Sequence, residues 1–164
     1  ILEKLSTAEG FKEYMDHWDT LKEEYKRNEE KEIGVISFYG RQVSRIKKNV
    51  RTRARQLGLR IKINTVDKFQ GMERNIVIVS TVRSNKAVHG TGIEENHKAG
   101  FADSPERLNV ALSRARRLLI VVGNKDFFAT IKDKQGNYLY LNAIRELERQ
   151  GKVIEYKDLI NGKN

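Results

Sequence analysis

The stretch Asn75-Ile-Val-Ile-Val-Ser-Thr-Val82 is β-branched almost throughout. Such a run is typical of a central strand that is covered on both faces, as the strands of parallel sheets are. Shorter apolar runs at residues 32–38, 59–64 and 118–122 have the length of strands, and we expect the last of them to be buried as well. Residues 153–156 are a weaker candidate for a final strand.

Helical patterns separate these runs. The predicted helices cover residues 9–29, 41–57, 104–116 and 138–150. The first is the main part of a leading amphipathic element over residues 1–31. Ser104-Pro105-Glu106 is typical of a helix start, and Gly58 and Gly151 are placed to end two of the helices. Because strand and helix alternate, the sequence predicts an α/β fold with a mostly parallel sheet and helices on both faces.

The composition limits the class of protein. With 164 residues, the chain is expected to form a single domain over residues 1–164 and to bury its own core. It has no cysteine, which excludes disulfides and thiolate metal sites. It has no apolar run long enough to cross a membrane and no opening signal peptide. These features predict a soluble intracellular protein without a membrane partner, cytoplasmic or, in a eukaryote, nuclear.

The charge of the chain indicates a polyanionic partner. There are 32 Lys and Arg against 22 Asp and Glu, a formal net charge of +10, which favours nucleic acid. Eight basic residues and no acid lie between residues 41 and 60. The helix predicted there would attract phosphates without sequence preference. The alternative is a basic face that is merely solvated.

Two other stretches carry the chemistry. Residues 65–73 read Thr-Val-Asp-Lys-Phe-Gln-Gly-Met-Glu, and residues 107–116 read Arg-Leu-Asn-Val-Ala-Leu-Ser-Arg-Ala-Arg. A planar guanidinium on a rigid element suits the spread negative charge of a phosphoryl group in transfer. Four arginines are candidates for this role from their spacing alone, and each could equally be a solvated surface residue. They are Arg107, Arg114, Arg116 and Arg117.

Together, the two stretches resemble motifs V and VI of superfamily 1 helicases, in the branch that includes the nonsense-mediated-decay helicase. The resemblance covers about residues 33–130, with the motifs in the correct order. It implies a RecA-like three-layer sandwich, the second motor domain of such a helicase. Motif VI implies that Arg114 is the arginine finger and that Arg107 also faces ATP. Glu106 departs from the pattern, since the family usually has another arginine there.

The resemblance divides motif V between two ligands. It implies contacts with ATP by Gln70, Gly71 and Glu73, and with nucleic acid by Thr65, Val66, Asp67 and Arg83. A glycine such as Gly71 suits a tight turn in which the backbone approaches a ligand. A single loop that contacts both ligands would allow ATP hydrolysis to change the affinity for the nucleic-acid strand.

Residues 33–43 are similar to motif IV. Ser37-Phe38-Tyr39 stands where the family often has Thr-Pro-Tyr, and Gln42 is retained. Open α/β sheets bind ligands at the carboxyl ends of their strands, so Ser37 and Tyr39 are candidate nucleic-acid contacts. The alternative for Tyr39 is packing against its neighbours.

Family membership would imply ATP with Mg²⁺, single-stranded DNA or RNA, and movement in the 5′ to 3′ direction. The sequence contains no Gly-x-x-x-x-Gly-Lys-Ser/Thr phosphate loop and no Asp-Glu magnesium motif. We therefore expect a fragment of a longer protein, whose first RecA-like domain is the partner that binds most of the ATP and the Mg²⁺. We expect the fragment alone to be inactive.

Other readings of the sequence stay open. A non-enzymatic nucleic-acid-binding or scaffold domain with a decayed helicase fold is the main alternative, although retention of the motif V and VI residues argues against it. A helicase fused to a nuclease is neither supported nor excluded. The residues do not separate DNA from RNA. His89 and His97 lie in a glycine-containing loop, but their spacing fits no familiar metal site, and we expect no metal there.

Overall fold

The computed structural model describes residues 1–20, 32–81, 102, 104–133 and 135–161, with the side chains of residues 15–20 excepted. A four-stranded sheet forms its centre, and all its strand pairs are parallel. The strands are β1 (Glu32–Ser37), β2 (Arg60–Thr65), β3 (Arg74–Ser80) and β4 (Ala115–Val122), in the spatial order β2-β1-β3-β4.

The helices pack on both faces of this sheet. Those described are α1 (Leu2–Thr7), α2 (Glu9–Thr20), α3 (Gly40–Gln56), α4 (Val66–Phe69), α5 (Pro105–Ser113), α6 (Lys125–Ala129), α7 (Leu139–Gln150) and α8 (Tyr156–Asn161). On one face, Ile33 of β1 and Ile76 of β3 lie in a core with α1, α2 and α3. On the other, Ile36 of β1 and Val77 of β3 lie in a core with α4, α5, α6 and α7.

This arrangement follows from the period of two along each strand. Successive side chains point to opposite faces, so a strand such as β3, apolar at consecutive positions, supplies both cores at once. The predicted α/β class, the parallel sheet and the three-layer RecA-like architecture are confirmed.

Local signals also set the helix ends. Ser104 caps α5, since its Oγ accepts a hydrogen bond from the backbone N of Arg107 at 3.2 Å. Gly58 has a φ of 68° just after α3, the left-handed conformation predicted for it. Gly151 ends α7, as predicted, but in an extended conformation.

The fourth strand differs from its prediction. It begins at Ala115, so Arg116, which was predicted to end a helix, lies in β4 together with Arg117, and α5 ends at Ser113. The prediction that this strand is buried is also wrong, because Leu118 and Val122 are 41% and 40% exposed. Within the described residues β4 pairs only with β3 and lies at the edge of the sheet.

The two ends of the chain also depart from expectation. The predicted strand at residues 153–156 is wrong: residues 152–155 join no sheet, and α8 begins at Tyr156. A short apolar run cannot by itself be assigned to a strand. The leading helix is preceded by a separate short helix, α1, and residues 21–31 of the predicted leading element lie outside the described residues.

Candidate functional site

Residues 65–73 form a tight corner after β2. Thr65, the last residue of the strand, is the N-cap of α4. Val66 and Phe69 are 1% and 0% exposed and anchor α4 in the core. Gly71 then adopts a φ of 78°, which favours glycine, and lies with Gln70 at the surface. The predicted tight turn is confirmed, and its backbone is accessible because its anchors are buried.

Glu73 follows this turn and pairs with an arginine of the neighbouring strand. Its Oε2 accepts a hydrogen bond from Arg116 Nε at 2.8 Å, and both side chains are 45% exposed. The hydrogen bond and positive charge of Arg116, with a smaller contribution from the charge of Arg114, hold the pKa of the Glu73 carboxyl below its ordinary value. Glu73 is therefore held ionised, with two arginines beside it.

An irregularity in the sheet makes this pairing possible. Arg74 is paired with Ala115 and Ile76 with Leu118, so two residues of β4, Arg116 and Arg117, lie opposite one residue of β3. A bulge of this kind re-aims the side chains on the longer strand. Arg116 turns to Glu73, while Arg117 lies over the ring of Tyr14, 5.6 Å from its centroid.

Arg74 fixes the backbone at the same place. It is 4% exposed, and its Nη2 donates to Glu32 Oε2 at 2.8 Å. Its Nη1 donates to the carbonyl oxygen of Glu73 at 2.7 Å. A buried guanidinium that bonds both groups restricts the position of Glu73 from the backbone side. The sequence analysis missed Arg74, because its signal, a charged residue at the start of an apolar strand, resembles that of an ordinary strand end.

Arg114 lies at the end of α5 rather than in its body. It is the C-cap residue, and its carbonyl oxygen accepts a hydrogen bond from the backbone N of Arg74 at 3.0 Å. Its Nη2 donates to Ser113 Oγ at 2.9 Å. Its Nε is buried and has no hydrogen-bond partner within the described part of the chain. A buried donor in that condition is unusual and calls for a ligand or another explanation.

Arg107, predicted with the ATP residues, lies next to a residue predicted for nucleic acid. Its Nε donates to Asp67 Oδ1 at 2.9 Å. The pair borders a cleft of about 300 Å³ between α4 and α5. The cleft is lined by Val66, Asp67, Gln70, Ser104, Glu106, Arg107 and Val110. The structure therefore brings the start of α5 to the nucleic-acid half of motif V and its end to Glu73.

Two of the residues predicted to contact nucleic acid are buried in the structure. Ser37 is 0% exposed, and its Oγ donates to the carbonyl oxygen of Ser80 at 3.1 Å, so it joins β1 to β3. Val66 is equally buried. Exposure this low includes the backbone, so neither residue presents a surface for direct contact with a strand. Tyr39, Thr65 and Asp67 are at least partly exposed near the carboxyl ends of β1 and β2.

Several sequence features lie outside the described residues. They are Arg83 and the loop with His89 and His97. Among the residues that are described, no group of His, Asp and Glu side chains could hold a metal ion. Likewise, none of the described helices combines the length and apolar character needed to cross a membrane.

Comparisons with known proteins identify a family and several relatives of this chain. The family model described as "AAA domain" matches residues 3–126. The chain is 45% identical over 130 residues to the DNA polymerase alpha-associated DNA helicase A of Saccharomyces cerevisiae, covering 79% of this chain and 17% of that protein. It is 39% identical over 95 residues to RNA helicase Mov10l1 of Mus musculus, covering 57% of this chain and 7% of that protein.

A third similarity is to the regulator of nonsense transcripts 1 homolog of Neurospora crassa, with 38% identity over 96 residues. That match covers 57% of this chain and 8% of the Neurospora protein. The chain thus spans less than a fifth of the length of each of these relatives.

Proposed function

This chain belongs to the AAA-domain family and is a superfamily 1 helicase domain of the nonsense-mediated-decay-like branch, and on this premise we propose that it is the second motor domain of a longer ATP-dependent helicase. The observation that carries the proposal is the grouping of Glu73, Arg114 and Arg116 beside the exposed turn at Gly71. An anionic nucleotide presented to this surface would meet two guanidinium groups and an accessible backbone at one place.

Arg114 is the residue we assign to the phosphoryl group. Charge spreads over the oxygens of a phosphoryl group in transfer, and a guanidinium from a neighbouring domain stabilises it. The buried Nε of Arg114 has no partner in the described residues, and an unsatisfied buried donor costs about 1–3 kcal/mol. A phosphate oxygen would offset this cost once the side chain turns outward, because the Nε atom has almost no accessible surface in this structure. The C-cap position supports the role, because the Arg114 carbonyl is fixed by the backbone N of Arg74.

The remaining nucleotide contacts come from motif V and the start of α5. Gln70 and Gly71 present exposed backbone, and the Glu73 carboxylate accepts hydrogen bonds, for which the sugar hydroxyls of ATP are suitable donors. Arg107 completes the set at the cleft. Mg²⁺ would neutralise phosphate charge, and we assign its ligands to the first RecA-like domain. We expect the 164-residue chain alone to hydrolyse no ATP.

The nucleic-acid side lies along the carboxyl ends of β1 and β2. Thr65, Asp67 and Tyr39 are the side chains we assign to single-stranded DNA or RNA, with Arg83 as a further candidate. Ser37 and Val66 are buried beneath them and support this edge from the core. The assigned contacts position a strand but do not read its sequence. The Asp67–Arg107 pair links this side to α5, whose other end carries Arg114. Movement in the 5′ to 3′ direction belongs to the same proposal.

The test compares three forms of the longer protein that contains this chain: unmodified, Arg114→Ala, and Arg117→Ala as the matched control. Phosphate release is measured with saturating single strand. We expect Arg114→Ala to lose about a thousandfold or more in turnover. Arg117→Ala should retain it, since Arg117 lies over Tyr14.

Near-normal turnover by Arg114→Ala would show that Arg114 is not the arginine finger. No strand-stimulated hydrolysis by the unmodified protein would favour the scaffold alternative instead. Robust turnover by the 164-residue chain alone would reject its assignment as one of two motor domains.

A further inference from the structure

The outer face of α3 is a strongly charged surface that the proposed ATP site and strand contacts do not use. The helix lies on the sheet through Val43 and Ala54, which are 6% and 0% exposed. Its 17 residues include no acid. It therefore presents only positive and neutral side chains to solvent.

Four of its basic residues lie on one side of the helix in a single line, which Thr52 interrupts between the third and the fourth. At 3.6 residues per turn, they fall within an arc of about 80° that is opposite to Val43 and Ala54. All four are exposed. The line spans fourteen residues, which at 1.5 Å per residue is about 21 Å. We call it the outer stripe, and its members are Arg41, Arg45, Lys48 and Arg55.

Nothing in the described residues compensates these charges. None of the four side chains makes a hydrogen bond or ion pair within that part of the chain. By contrast Arg53, on the flank of the same helix, pairs with Glu3 of α1 at 2.6 Å. Like charges three and four residues apart, such as Arg41 with Arg45, are mildly unfavourable in a helix. The stripe therefore gives α3 no evident stability, which favours an external anionic partner over a structural role.

The position of α3 relates the outer stripe to the proposed strand contacts. The helix begins at Gly40, directly after Tyr39 and the carboxyl end of β1. Ser37 of β1 is paired with Thr65 of β2, so Thr65 and Asp67 lie at the same edge. The stripe thus starts where the proposed single-strand contacts end. From there it runs back along the face that carries α1 and α2.

From these observations we propose that the outer stripe binds the phosphate backbone of single-stranded nucleic acid that extends beyond the contacts at Tyr39, Thr65 and Asp67. The proposal rests on the proposed function, which supplies the strand at that edge. Cations on a line bind a backbone without reading bases, so the stripe adds affinity without sequence preference.

The test measures binding of the 164-residue chain to fluorescein-labelled oligo(dT), oligo(U) and a DNA duplex by anisotropy over a range of salt concentrations. The stripe variant carries Arg41→Gln, Arg45→Gln, Lys48→Gln and Arg55→Gln. The control variant removes the same charge from exposed lysines on other elements, by Lys12→Gln, Lys62→Gln, Lys152→Gln and Lys157→Gln. Circular dichroism checks that both variants are folded.

We expect the stripe variant to bind at least about tenfold more weakly at low salt. The slope of log affinity against log salt should fall by about 2–3, since each phosphate contact on a single strand contributes about 0.7. The control should lose less than one unit of slope. The stripe should also matter more for long oligonucleotides than for short ones, because only a long strand reaches both edge and stripe.

Equal slopes of log affinity against log salt in the stripe and control variants would overturn the proposed binding by the stripe. The proposed strand contacts at the edge of the sheet would be unaffected. A loss of duplex binding without loss of single-strand binding would overturn it as well, in favour of duplex as the partner. No binding of either oligonucleotide by the unmodified chain would overturn both the stripe and the proposed strand contacts.

Discussion

The Nε atom of Arg107 lies 2.9 Å from Oδ1 of Asp67 and donates a hydrogen bond to it. The two residues are forty positions apart in sequence, one in α4 and the other in the first turn of α5. This contact joins the corner after β2 to α5, whose C-cap residue is Arg114. In the proposed motor, it is the direct link between the strand contacts and the arginine finger.

Breaking the Asp67–Arg107 pair should affect coupling more than stability. The side chains are 61% and 34% exposed, and an exposed ion pair contributes about 0–1 kcal/mol. We expect Asp67→Asn to lower the free energy of unfolding by less than about 1 kcal/mol and to reduce stimulation of ATP hydrolysis by single strand several-fold. Glu3→Gln, which breaks the exposed pair with Arg53, is the control and should leave stimulation unchanged. Equal stimulation in both variants would contradict the link.

The pKa of Glu73 should depend on Arg116. The hydrogen bond from Arg116 is the largest cause that lowers this pKa below 4.5, so Arg116→Gln should raise it, while Arg117→Gln should not. Carbon-13 NMR titration of the Glu73 carboxyl measures the change. Because the folded-state pKa is depressed, the pair stabilises the fold above the unfolded pKa, and this contribution is lost as the pH falls through the folded value. An unaltered titration in Arg116→Gln would show that the ion pair is not formed in solution.

Removing the Glu73 side chain should weaken ATP binding in the longer protein. A sugar contact is made equally in the ground and transition states, so Glu73→Ala should raise KM for ATP with little change in kcat. Glu146→Ala is a matched control, since Glu146 is also ion-paired with an arginine, Arg149, but lies on α7. The measurement is steady-state hydrolysis at varied ATP. A fall in kcat at constant KM would assign Glu73 to the transition state instead.

The close packing of Gly123 against Thr81, just after the ends of β4 and β3, should not tolerate a side chain at Gly123. A Cβ there would overlap Thr81 Oγ1 and approach Thr81 Cβ to 3.2 Å. Thr81 is 4% exposed, and its backbone N donates to the carbonyl oxygen of Val122 at 3.0 Å. We expect Gly123→Ala to lower the free energy of unfolding by about 1–3 kcal/mol in urea denaturation. Gly10→Ala, where a Cβ would meet nothing, should be neutral or stabilising in α2. Equal stabilities of the Gly123→Ala and Gly10→Ala variants would contradict the close contact between Gly123 and Thr81.

The sequence by itself determined the features that depend on local order and period. The β-branched run at residues 75–82 identified the strand that supplies both cores, and Ser104 identified the start of α5. Gly58 and Gly71 marked the two turns with positive φ that are described above. The order of the motifs implied the helicase family. These signals can be recognised in the sequence because caps, turns and side-chain alternation involve residues within a few positions of each other.

Only the tertiary structure decided which distant residues meet. The bulge in β4 turned Arg116 towards Glu73, and the strand order left Leu118 exposed at an edge where the sequence predicted burial. Ser37 became an internal link to Ser80, and Asp67 acquired Arg107 as a partner. Each outcome depends on register and pairing between segments far apart in the chain. A shift of one residue in a strand reverses the face of its side chains, so these contacts depend on how distant segments pair and not on the pattern within one segment alone.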